Sequence, residues 1–216
     1  MPSIFRRRRR FPVRYYVYIS QTKLEILFPQ IPARFLPSLE AEISVNVGVL
    51  AASVRKSVPD PSPELAAKAG VLSDYLDKQS GWVGTVADPG RFVKGVALLQ
   101  YGVMQDYAAE LVFFGGVVDG VKLALIGSPA SLIGAAADAT ANHSLNYYDL
   151  KFLRENAEST QEDSETQRYE YEQAIDDALE VDVLPPTRHK LEFLAKVIFH
   201  NENVLVATPI YVALAD

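Results

Sequence analysis

The sequence predicts an α+β fold, an antiparallel or mixed β-sheet with helices packed on it, and three observations carry that prediction. Runs rich in Val, Ile, Leu and Phe alternate with turn residues across 82–126, the pattern of a β-meander. Segments with apolar residues at helical spacing lie on either side of it, at 62–79 and beyond 128. With 216 residues, 49% hydrophobic and 22% charged, the chain has enough apolar surface for a real core without external staples.

Each element has its own reason. Residues 14–20 are rich in Tyr, Val and Ile and read as a strand closed by Ser20. Thr22 and Glu25 have the spacing of a capping box for a short helix to Phe28, which Pro29 and Pro32 stop. From 39 to 49 the pattern alternates with period two, a half-buried strand with Glu40, Glu42, Ser44 and Asn46 on its polar side. Ser62 and Pro63 start a helix that runs to about residue 79, with Leu65, Leu72, Tyr75 and Leu76 on the buried face and Gly81 as terminator.

The meander divides into strands at 82–86, 92–104, 111–118 and 121–126, with turns at Asp88-Pro89-Gly90 and Asp119-Gly120. An Asp-Gly pair between two apolar runs is a strong short-range hairpin signal. Ser128 as cap and Pro129 as first residue open a helix over 130–137, and Leu145, Tyr148 and Phe152 mark another over 144–155. Residues 156–168 hold no aliphatic side chain larger than Ala157 and read as an acidic, solvated loop. Two helices follow. In the second, Leu191, Leu194, Ala195 and Ile198 fit i, i+3, i+4, i+7, with Glu192 and Lys196 as a surface pair. Segments 204–207 and 210–214, divided by Thr208-Pro209, read as a closing strand pair.

Charge is uneven. The net charge is −6, yet Arg6, Arg7, Arg8, Arg9, Arg10 and Arg14 supply six of 21 basic residues, and in 149–182 twelve acidic residues face three basic ones. The expected organisation is a flexible Arg-rich arm over 1–13 and a single α+β domain over 14–216. A polyanion would contact the arm weakly and be repelled by the body. Pro12 and Arg14 interrupt the apolar run that an export signal needs, and the uncharged stretch 123–137 is shorter than the ~18–20 residues that span a bilayer. The expectation is therefore a cytoplasmic protein with no membrane contact.

One set of patches resembles a known family: Tyr16-Val17-Tyr18-Ile19-Ser20-Gln21-Thr22-Lys23-Leu24 running on to Phe28-Pro29-Gln30-Ile31-Pro32, then Phe92-Val93-Lys94-Gly95, Phe113-Phe114-Gly115-Gly116, Leu125-Ile126-Gly127-Ser128, Leu132-Ile133-Gly134, and Thr208-Pro209-Ile210-Tyr211-Val212-Ala213-Leu214. The chain from 15 to 216 is similar to an uncharacterised bacterial family found mainly in actinomycetes, a domain of unknown function. Many members have His where this chain has Ser131, so no role of that His carries over. The resemblance implies a single domain and no mechanism.

Zero cysteines exclude disulfides, thiolate metal sites and cysteine nucleophiles. The phosphate-loop, dinucleotide, nucleophile-elbow and zincin motifs are missing too. His189 and His200, eleven apart, are too distant to share an ion, and His143 stands apart from both, so no metal site and no cofactor are expected. Glu40 and Glu42 share a strand face at a spacing that suits paired-carboxylate chemistry as well as a solvated face, while Asp176, Asp177 and Glu180 read as a solvated helix face with no obvious basic or histidine partner.

Gly127-Ser128-Pro129 comes nearest to chemistry: a strand ending in Gly-Ser before a helix leaves N–H groups to receive an anion, or simply caps the helix. Lys23 and Ser20, at the end of the first strand, add a cation and a hydroxyl as further anion-binding candidates, and Arg6 to Arg10 are the polyanion-binding candidates. The reading adopted is a non-catalytic binding or regulatory module for a small anionic ligand, with a protein partner or a second copy as company. Two alternatives stand beside it: an enzyme acting on a small anionic substrate at Ser128, and a nucleic-acid-binding or assembly protein acting through the arm.

Overall fold

Strand β1 (Tyr15–Ile19) begins the part of the chain described by the computed structural model, which comprises residues 14–36, 63–106, 109–134, 173–179 and 185–215. Helix α1 (Gln21–Leu27) follows directly. Its cap is Ser20 rather than Thr22, because the backbone leaves extended geometry there (φ −80°, ψ 100°) and the Ser20 Oγ accepts from the Lys23 N–H at 3.4 Å. Glu25 accepts from the Gln21 side chain instead. Short 3-10 turns, Phe28–Gln30 and Ala33–Phe35, carry the chain away. The second helix, α2, spans Pro63–Asp77, close to the expected range. The expected strand over 39–49, the helix over 144–155, the loop over 156–168 and the arm lie outside the described residues.

Five strands close into a barrel. Strands β3 (Phe92–Asp106), β4 (Ala109–Val118) and β5 (Val121–Gly127) form the last three strands of the predicted meander. The first, expected at 82–86, is reduced to Val83–Gly84 and pairs in parallel with β3 rather than as a hairpin. β5 pairs in parallel with β7 (Val204–Leu214), β7 pairs antiparallel with β6 (His189–His200), and β6 returns to β3. The two-residue β2 (Val83–Gly84) attaches to β3 and β1 attaches to β7. The sheet is therefore mixed and, unlike the expectation, closed, which leaves its central strands no free edge. A five-stranded barrel is too narrow for a lumen, and Val93, Leu99, Phe114, Leu125, Phe193 and Leu205 fill its axis. Outside it, Leu72 and Leu76 of α2 share a cluster with Leu24, Phe92, Leu194 and Ile210. Ala174, Ile175 and Ala178, in helical residues 173–179, share another with Phe113, Ile126 and Val206.

Three further expectations need correction. The helix drawn through Leu191, Leu194, Ala195 and Ile198 is strand β6. Leu191, Phe193, Ala195 and Val197 face the barrel and alternate with Lys190, Glu192 and Lys196, so a period of two is present; Leu194, packed outward with α2, and Ile198 interrupt it and supply the helix-like spacing. Glu192 and Lys196 are accordingly not a helical pair; Glu192 bonds Arg14 and Tyr211. The closing strand pair is one strand, β7, passing through Pro209. Proline is tolerated because β5 pairs only as far as Ala207, β1 begins pairing at Tyr211, and the β6 register shifts beside it. Finally, the helix expected from 130 is a three-residue 3-10 turn, Pro129–Ser131; Leu132 is already extended and bridges Tyr18, and the Ile133 N–H donates to the Val17 carbonyl at 3.0 Å. The exposed edge of β1 captures this segment before a helix can propagate.

Candidate functional site

β7 changes neighbours along one edge, from β5 to β1, and this switch builds the candidate site. β5 runs parallel to β7 and β1 antiparallel to it, so the C-terminal ends of β5 and β1 approach each other head-on beside Pro209 and Ile210. The Ser20 N–H donates to the Ile210 carbonyl at 2.9 Å, fixing the end of β1. Gly127 and Ser128 end β5, so three of the residues singled out in the sequence meet where two strands stop.

Tyr18 is the side chain that joins them. It is fully buried, and its ring packs so closely on Gly127 that a Cβ built there would lie 2.8 Å from Tyr18 Cζ. Burial pushes the phenol pKa up, and Ser131, the Ser128 main chain and Ser20 partly offset that push. These groups face the hydroxyl, yet among the described residues none meets it with hydrogen-bonding geometry. The phenol therefore stays protonated, a buried donor without an acceptor. Tyr18 and Ser131 were not singled out from sequence, although Tyr18 lies two residues before Ser20, the separation that puts two strand residues on one face.

Lys23 completes the cluster. It is half-buried, and its Nζ donates to the Ser20 Oγ at 3.4 Å, the same oxygen that accepts the Lys23 N–H. With its lone pairs so engaged, the buried Ser20 hydroxyl has its own proton to offer. Ser128 is exposed; its Oγ accepts from the Ala130 N–H at 3.3 Å. Three residues of 3-10 helix align too few peptide dipoles for a helix-terminus anion site, so Ser128 is a turn cap.

Other candidates separate. Arg6 to Arg10, Glu40, Glu42, His143 and Glu180 lie outside the described residues. His189 and His200 end opposite tips of β6, roughly 36 Å apart by strand rise. Asp176 has a partner after all, the Lys122 ammonium. A second polar group that sequence reading missed sits on the outer wall of the barrel. The Arg14 Nε faces both Glu192 carboxylate oxygens at 3.1 Å, and the Tyr211 hydroxyl donates to Glu192 Oε1 at 2.8 Å. Burial alone would raise the Glu192 pKa, but hydrogen bonds from Arg14 and Tyr211 outweigh it and hold the carboxylate below its ordinary value. Only a strand places Glu192 between these two groups, so the helical reading of β6 hid the triad.

Comparison with curated proteins and with solved structures returned no match. No helix among the described residues is long and apolar enough to cross a membrane. A family model matches residues 14–216, which is the whole chain after the Arg-rich arm. The chain belongs to DUF7019, a family of unknown function.

Proposed function

We propose that this chain is a non-catalytic binding module whose ligand is a small oxyanion-bearing molecule, received by Lys23, Ser20, Ser128 and Ser131 above Tyr18. One observation carries the reading: a buried phenol donor lacks an acceptor, among hydroxyls and beside a lysine ammonium. An orphaned buried donor costs about 1–3 kcal/mol, a cost that an oxyanion accepting its proton removes. Several neutral donors and a single cation suit an anion of low charge. Thermal unfolding with phosphate, sulfate and nucleotides tests this through the coupling of binding to stability, about 2.7 kcal/mol at a hundredfold excess over Kd. A rise in wild type that disappears in Lys23→Met and Ser128→Asp supports the reading. No rise with any anion refutes it.

A second, catalytic reading takes Ser20, rather than Ser128, as the nucleophile: the Lys23 Nζ that donates to the Ser20 Oγ would have to lose a proton first, and the resulting amine could then take the seryl proton. A fluorophosphonate that labels Ser20 in wild type and not in Lys23→Met supports this reading, and an unlabelled protein removes it.

A further inference from the structure

The barrel has an aromatic mouth that leads to the Tyr18 cluster. His189 lies 5.2 Å from Tyr101, ring centre to ring centre. Tyr101 stacks on Phe114 at 5.3 Å, and Phe114 meets the edge of Tyr18 at 5.8 Å. Four rings therefore run in sequence from the rim to the phenol whose hydroxyl faces Ser20, Ser128 and Ser131. The rest of the barrel axis is mainly aliphatic, so the rings mark one end of it.

Tyr15 stands over that end. It is 64% exposed although it opens a barrel-bound strand, and its register partner Leu214 is 42% exposed. Tyr15 is close enough to Tyr101 to add to the rise in its phenol pKa, after the larger effect of burial. Its hydroxyl reaches the turn at Gly134, where a Cβ would lie 3.8 Å away. Closure of a narrow barrel explains Phe114 and Tyr101, which are buried or half-buried, and leaves Tyr15 unexplained. A large ring left mostly exposed beside a row of buried aromatic rings offers apolar area that a planar ligand ring can cover. From Tyr15 to Tyr18 the strand rises about 10 Å, within the span of a nucleoside monophosphate.

We propose that Tyr15, Tyr101 and His189 receive the planar ring of the ligand whose oxyanion sits at Ser20, Lys23 and Ser128, so that the ligand class is a phosphate-bearing heteroaromatic of nucleoside-monophosphate size. This rests on the oxyanion reading above and names its ligand class. The two halves are separable: the rim holds a neutral ring by stacking, and the cluster holds the phosphate by charge and hydrogen bonds.

The experiment is calorimetric titration of the full chain with the four common nucleoside monophosphates, adenosine, ribose 5-phosphate and inorganic phosphate, repeated for Tyr15→Ala and Lys23→Met. The expected result is that one or more monophosphates bind roughly tenfold or more tighter than ribose 5-phosphate, and that Tyr15→Ala abolishes this preference while leaving ribose 5-phosphate unchanged. Because Tyr15 is exposed, its loss leaves the core intact, and Tyr15→Phe, which keeps the ring, retains the preference. Equal affinity for monophosphates and ribose 5-phosphate, or indifference to Tyr15→Ala, overturns the ring site while the oxyanion reading stands. Adenosine binding as tightly as its monophosphate, unaffected by Lys23→Met, overturns the oxyanion reading and with it this ligand class. No binding by any probe overturns both.

Discussion

The Tyr18 ring occupies the space beside Gly127 that any side chain there would need, with Cζ only 2.8 Å from the position of a Cβ. Glycine at 127 is thus required by a close approach rather than by backbone conformation. Gly127→Ala should cost about 1–3 kcal/mol through overpacking of a buried ring. Tyr18→Phe removes the atom nearest that methyl group and should restore part of the loss, a coupling that a double-mutant cycle by chemical denaturation measures. Strict additivity would place the two residues in independent environments.

The Arg14–Glu192–Tyr211 triad makes a pH prediction. The Glu192 pKa is depressed in the folded chain, so its contribution is present above the ordinary carboxylate value and is lost as pH falls through the lower folded value. Burial, the largest cause, raises the Tyr211 pKa, so its contribution is full below the ordinary tyrosine value near 10 and fades at more alkaline pH. Glu192→Gln should flatten the acid limb of a stability–pH curve and Tyr211→Phe the alkaline limb. Glu192→Ala, which strands a largely buried Arg14, should cost about 3 kcal/mol at neutral pH.

The hairpin between β4 and β5 depends on positive φ at both turn positions, Asp119 (51°) and Gly120 (86°). Gly120→Ala should destabilise by about 1 kcal/mol, and Asp119→Gly should be neutral or mildly stabilising, because only the first adds a side chain to left-handed backbone. Thermal melts of both variants check this, and equal effects would contradict it.

Arg6, Arg7, Arg8, Arg9 and Arg10 should supply most of any polyanion contact, since the rest of the chain carries a net negative charge. Deleting them should remove retention on heparin and the salt dependence that counterion release gives it. Retention unchanged at the same salt would move the contact into residues 14–216.

Much of this architecture was legible because its cause is local. The hairpin at Asp119-Gly120 follows from backbone preferences, the start of α2 from Pro63, and the end of β1 from Ser20; each needs only neighbouring residues. Ser20, Lys23, Gly127 and Ser128 were also recognisable one by one, as residue types that end strands and offer donors. Their convergence was not, because it depends on where β7 exchanges β5 for β1.

Sequence alone determined that the chain builds a cysteine-free α+β core with a strongly basic start and a meander at its centre. Tertiary structure decided that β6 is a strand, that the sheet closes, and that Tyr18 is the residue on which the candidate site turns. The physical reason is shared by all three. Hydrophobic periodicity reports which face a segment buries, but Leu191 and Leu194 are buried on opposite faces of β6, by the barrel axis and by α2, so their spacing mimics a helix until both neighbours are in place. Likewise the burial of the Tyr18 hydroxyl is a property of Gly127 and Ser131, more than a hundred residues away, and no window around residue 18 contains it.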